Sequence, residues 1–105
     1  MVIVETSIFT RRVERLLTEE EYRQLQRYLI EYPAAGDIIR GSGGLRKMRW
    51  GMPSRGKRGG ARVIYYWADQ KGCLLMLLIF AKNEQDDLTH DQIKALRKAV
   101  EEEYQ

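Results

Sequence analysis

The segment Cys73–Ala81, reading CLLMLLIFA, constrains the fold of this chain more than any other. It is an unbroken apolar run, far too short to span a bilayer as a helix. Such a run is expected of a central strand covered on both faces, here over Cys73–Phe80. The segments before it read as its neighbours. Ala61–Trp67 is rich in β-branched and aromatic residues, and Asp69–Gly72 turns the chain between the two strands. Leu45–Trp50 is a further strand, and Gly51–Gly60 is a glycine-rich, cationic hairpin loop. Three consecutive strands with short connections make an antiparallel meander.

Helical signals flank the meander. Ile8, Phe9, Val13, Leu16 and Leu17 recur at helical spacing from Ser7 to Leu17. Thr18-Glu19-Glu20-Glu21 is a capping box, with Leu17 and Tyr22 placed as its hydrophobic staple. The helix it opens buries Tyr22, Leu25 and Leu29, with Tyr32 a further candidate, and stops at Pro33. The two helices read as an antiparallel hairpin. Thr89-His90-Asp91-Gln92 is a second capping box, with Leu88 and Ile93 as its staple. The helix that follows shows Ile93, Leu96, Ala99 and Val100 on one face. With Val2–Glu5 as a short first strand, the order is β-α-α-β-β-β-α, a single α+β domain over residues 1–105.

Charge along this scaffold is segregated. Between Asp37 and Asp69 there are eight basic residues (Arg40, Arg46, Lys47, Arg49, Arg55, Lys57, Arg58 and Arg62) and no acidic one. The chain carries a net charge of only +3, so the rest of the molecule is acidic. A basic stripe on an acidic body is the electrostatic footprint of a polyanion ligand, most often nucleic acid. Strand alternation divides the stripe. Arg46, Met48 and Trp50 share one face, and Lys47 and Arg49 share the other. If Met48 and Trp50 are buried, Lys47 and Arg49 project outward side by side. On the next strand Tyr66 shares a face with Arg62, opposite Tyr65 and Trp67. Any of Trp50, Tyr65, Tyr66 and Trp67 could stack on a base, and Tyr66 is the best placed.

The other usual chemistries are poorly served. One cysteine and one histidine cannot make an ordinary zinc site, and Asp86, Asp87 and Asp91 read as helix-start carboxylates. No nucleophile elbow, Ser/His/Asp set, P-loop or dinucleotide fingerprint is present. His90 reads as an exposed first-turn residue, and Cys73 as a buried thiol. A single cysteine and the absence of a signal peptide at the first residues favour a cytoplasmic chain without a membrane partner. Cationic chemistry remains. RNA can be cleaved by its own 2′-hydroxyl if the site supplies a base, positive charge for the phosphorane oxygens and an acid for the leaving 5′-oxygen. Arginine forks match phosphate oxygens, and a lysine packed among cations becomes a better base. Simple phosphate binding without catalysis fits the same composition.

The stretch GDIIRGSGGLRKMRWGMPSRGKRGGARVIYYW, followed by LLIFAKNEQDDLT and a closing helix, resembles the HigB/RelE-type toxins of bacterial toxin–antitoxin pairs. The resemblance covers nearly the whole chain. It implies two N-terminal helices packed on a twisted antiparallel sheet, and a metal-free, cofactor-free endoribonuclease that cleaves mRNA on the ribosome. It implies a cognate antitoxin as partner, of the helix-turn-helix, HigA-like kind. By position, Lys47 and Arg49 match the family's two alternating basic residues on the strand before the loop, Arg62 matches the arginine that opens the following strand, and Lys82 matches the basic neighbourhood at the end of the apolar strand. The family's arginine in that segment is replaced here by Asn83, and Asp87 and Leu88 stand where the RelE branch carries a tyrosine. The resemblance makes Lys47, Arg49, Lys57, Arg62 and Lys82 the catalytic candidates, with Arg46, Arg55, Arg58 and Tyr66 holding RNA. The general acid and base stay open among Lys47, Lys57 and Lys82. Two rival readings are a gyrase-inhibiting toxin of the ParE branch and an RNA-binding domain without catalysis.

Overall fold

The computed structural model describes residues 1–53 and 59–104. Strand β1 (Val2–Glu5) leads into helices α1 (Ser7–Leu16) and α2 (Glu19–Glu31). Strands β2 (Asp37–Ile38), β3 (Arg46–Trp50), β4 (Ala61–Ala68) and β5 (Cys73–Ala81) follow, and helix α3 (His90–Tyr104) closes the chain. The sheet runs β1-β5-β4-β3-β2. The α+β class and the meander expected from the sequence are present. Two features differ from expectation. The β1 strand pairs parallel to β5, so the sheet is mixed rather than wholly antiparallel. The segment between α2 and β3, where the expected order has no strand, also contributes one, since Asp37 and Ile38 pair with Lys47 and Arg46.

Each helix start is set by local hydrogen bonding. In the capping box, the Thr18 N–H donates to Glu21 Oε1 at 2.8 Å and the Glu21 N–H donates to Thr18 Oγ1 at 3.1 Å. Thr89 and Gln92 make the same reciprocal pair at 3.0 and 3.1 Å. Thr6 caps α1, accepting from the Phe9 N–H at 3.1 Å. Helices α1 and α2 cover one face of the sheet, where Phe9, Val13, Leu16, Leu25 and Leu29 pack on Val63, Tyr65, Leu74 and Met76. Helix α3 covers part of the other face, with Val100 buried and Leu88 and Leu96 half-buried against Leu45, Ile64, Leu77 and Phe80. Tyr32 is exposed and Tyr22 half-buried, so α2 is anchored by Leu25 and Leu29.

β5 is buried throughout, as its composition requires. It carries an irregularity that composition does not show. The partner of Ile64 is Leu78 and that of Tyr65 is Met76, which leaves Leu77 as an extra residue. Leu74 and Met76 face the helix pair, Leu77 and Leu78 both face α3, and Ile79 and Ala81 return to the helix pair. The bulge reverses the phase of the strand. Lys82 follows in step with Leu78 and Phe80, on the α3 side. Thr6 satisfies backbone groups at the bulge, its hydroxyl donating to the Leu77 carbonyl at 2.8 Å and its N–H to the Met76 carbonyl at 3.0 Å.

Among the described residues, no helix is long and apolar enough to cross a membrane.

Candidate functional site

The face of the sheet that α3 covers only in part holds a cleft of about 520 Å³, lined by Lys47, Arg49, Arg62, Lys82, Asp86 and Asp87 with Tyr28, Ala35, Asp37 and Met48. Three elements deliver its cations. Alternation along β3 sends Lys47 and Arg49 to this face while Met48 and Trp50 pack toward the helix pair. β4 runs antiparallel to β3 and brings Arg62 directly opposite Arg49. The bulge-shifted end of β5 brings Lys82, whose N–H bonds the Gly60 carbonyl at 3.1 Å and holds the strand ends together. Gly60 must be glycine: its φ is +60°, and a Cβ there would lie 2.4 Å from the Trp50 carbonyl oxygen.

The four cations are not equivalent. Lys47 Nζ pairs with Asp87 Oδ1 at 2.9 Å, and Lys82 Nζ pairs with Asp86 Oδ1 at 3.4 Å. Lys47 and the Leu88 N–H hold the Asp87 carboxyl below the usual carboxylate range, against a small opposing effect of burial. Arg49 and Arg62 have no carboxylate partner among the described residues. Residues 54–58 contain no acid that could supply one. Arg62 is only 5% exposed, and its guanidinium donates to the Gly59 carbonyl. Burying a cation without an anion is costly, and two like charges opposite each other on paired strands repel. An anion bound between Arg49 and Arg62 would relieve both costs.

The expected site residues therefore separate. Lys47, Arg49, Arg62 and Lys82 come together. Arg46 lies on the helix-pair side, donating to the Ala34 and Gly36 carbonyls at 3.2 and 2.8 Å, and takes no part in the cleft. Tyr66 does share the face of Arg62 and packs half-buried in the α3 cluster, away from the cleft. Tyr65 is fully buried, its hydroxyl donating to the Pro33 carbonyl at 2.7 Å and accepting from the Gly36 N–H at 2.8 Å, so it cannot stack on a base. Arg55, Lys57 and Arg58 lie outside the described residues. Among the described residues no cluster of three His, Cys, Asp or Glu side chains is placed to hold a metal ion. His90 is exposed at the start of α3.

Asp86 and Asp87 do more than stand near a helix start. Asp86 pairs with Lys82 four residues before it, whereas Asp87 reaches Lys47 on β3, 40 residues away, and no local signal in the sequence announces that second pairing. Tyr28 was also missed, because its position on α2 falls between the apolar positions that define the helix's buried face.

No protein-family model matches the chain. Among solved structures, an arginine-substituted form of E. coli RelE in the free state superposes with a TM-score of 0.60 at 14% identity, covering 93% of this chain and 94% of that one. The fold is that of RelE. A chain of the intact E. coli RelBE toxin–antitoxin complex also superposes, with a TM-score of 0.55 at 18% identity over 76% of this chain and 94% of that one.

Proposed function

We propose that this chain is a RelE-type toxin that cleaves mRNA on the ribosome, with the cleft between β3, β4 and the end of β5 as its active site. The observation that carries the reading is Arg62, a buried cation with no acidic partner among the described residues, set opposite Arg49 in the cleft. The shared fold with E. coli RelE and with a toxin–antitoxin complex supports it.

In this reading the scissile phosphate sits between Arg49 and Arg62. The 2′-hydroxyl of the preceding ribose gives its proton to water and its oxygen attacks phosphorus, the bond to the 5′-oxygen breaks, and a 2′,3′-cyclic phosphate is left. Arg49 and Arg62 donate to the nonbridging oxygens as charge builds on them. Lys47, oriented by Asp87, protonates the departing 5′-oxygen, and Lys82 lies beside it as a second donor. Arg55 and Arg58 are assigned to RNA phosphates in the same reading. The partner is an antitoxin, whose acidic segment would compete for the unpaired arginines. A helix-turn-helix antitoxin of the HigA kind remains the expectation from resemblance, and the cytoplasm is the compartment in which such a protein meets ribosomes.

Primer extension on a message translated in a cell-free extract tests the reading. Wild-type protein should produce discrete cuts. Arg49→Ala, at an exposed position, should lower cleavage on the order of 10²-fold without moving the thermal midpoint. Intact message with wild-type protein would sink the proposal. Retained RNA binding with no cutting would leave the non-catalytic reading instead.

A further inference from the structure

We propose that Tyr28 is a base-stacking platform for the nucleotide whose phosphate the arginine pair holds. The inference rests on the RNA reading above and adds a recognition element on the opposite side of the sheet.

Tyr28 belongs to α2, which packs on the face away from the cations, yet it lines the same cleft as Lys47, Arg49 and Arg62. The reason is a gap in the sheet edge. β2 pairs only with Arg46 and Lys47, so among the described residues no strand lies outside Met48–Trp50. The chain reaches that edge at Gly36, whose N–H donates to the Tyr65 hydroxyl. A Cβ on Gly36 would stand 2.8 Å from the Tyr65 ring, so the approach needs glycine. The cleft wraps around the open edge, past Ala35, Asp37 and Met48, and ends on Tyr28. Arg49 and Trp50 are neighbours on opposite faces of β3. A nucleotide at this edge therefore has to span only the thickness of one strand to bring its phosphate to Arg49 and its base to the aromatic side.

That side is built for a base. Tyr28 is 40% exposed and Tyr32 52% exposed, although both are large aromatic side chains on a helix with a core face of its own. The Tyr28 ring centroid lies 5.6 Å from that of Trp50 and 5.1 Å from that of Tyr32. Trp50 packs against the core, so Tyr28 is braced by Trp50 and Tyr32 while much of it stays exposed. An aromatic face beside a cationic groove is the arrangement that holds single-stranded nucleic acid: the cations take the backbone and the ring takes a base of any identity. Packing against Trp50 explains why Tyr28 is ordered. It does not explain why the ring borders the cleft.

Fluorescence anisotropy with a labelled RNA hexamer at low salt tests the inference, using intact hexamers and a series with one abasic position each. Tyr28→Leu keeps apolar packing on Trp50 and removes the stacking face, and Tyr28→Phe keeps the ring. Tyr28→Leu should weaken intact RNA about tenfold, with an unchanged salt slope because no phosphate contact is lost. At one abasic position the difference between Tyr28→Leu and wild type should vanish, and Tyr28→Phe should bind as wild type does. An equal loss on every abasic hexamer would overturn the inference and assign Tyr28 to the scaffold. No loss at all would overturn it too, and would leave the exposed aromatic surface to a protein partner. In both cases the arginine cleft still stands if Arg49→Ala lowers the salt slope. If wild-type protein binds no hexamer, the phosphate reading and the stacking reading fall together.

Discussion

At the scale of single residues, the Lys47–Asp87 pair shows how one contact changes the character of a site. Without Asp87 the cleft would present four clustered cations; with Asp86 and Asp87 in place, two of them are matched and the arginines are left for the ligand. The direction of the Asp87 shift gives a pH prediction. A carboxyl held below its ordinary 3.8 stabilises the folded state when ionised. That contribution is fully present above the unfolded value and is lost as pH falls through the lower folded value. Asp87 is 60% exposed, so solvent screens the pair and the effect on stability is small. Denaturant unfolding of wild type and Asp87→Asn should therefore differ slightly near neutrality and converge below about pH 3.8. A gap that widens as pH falls would contradict the assignment of Lys47 as the partner.

At the scale of elements, β5 shows where reading from sequence stops. CLLMLLIFA announces a buried strand but carries no alternation, so nothing in it marks Leu77 as the bulged residue. The neighbouring strands were legible because they alternate: Lys47 and Arg49 fall on one face of β3, and Arg62 shares a face with Tyr66 on β4, as their spacing requires. The helix starts were legible because a capping box is completed within three residues. Thr6 joins the two kinds of element, capping α1 and bonding the bulged strand with the same hydroxyl. Thr6→Val should remove the cap and leave the Leu77 carbonyl without its donor, at a cost of about 1–3 kcal/mol in chemical denaturation. A change below a few tenths would mean that another group satisfies the bulge.

At the scale of the whole molecule, the two faces of the sheet are unequally covered. Two helices pack on one face through buried residues along their length, whereas α3 is held by Val100 and the half-buried Leu88 and Leu96. Helix α3 should accordingly open more easily than α1 or α2. Native-state hydrogen exchange should find its amides less protected than those around Val13 and Leu25, and equal protection would refute the ranking. The sequence alone determined the helix starts, the buried β5 and the alternation of the basic strand, because each depends on hydrogen bonds or side-chain periods a few residues long. Tertiary structure decided the rest: the parallel β1, the phase of Lys82, the Asp87–Lys47 pair and the arrival of Tyr28 at the sheet edge. Those features join groups far apart in the chain, 71 residues for Thr6 and Leu77 and 40 for Lys47 and Asp87, and no local pattern encodes a contact at such separation.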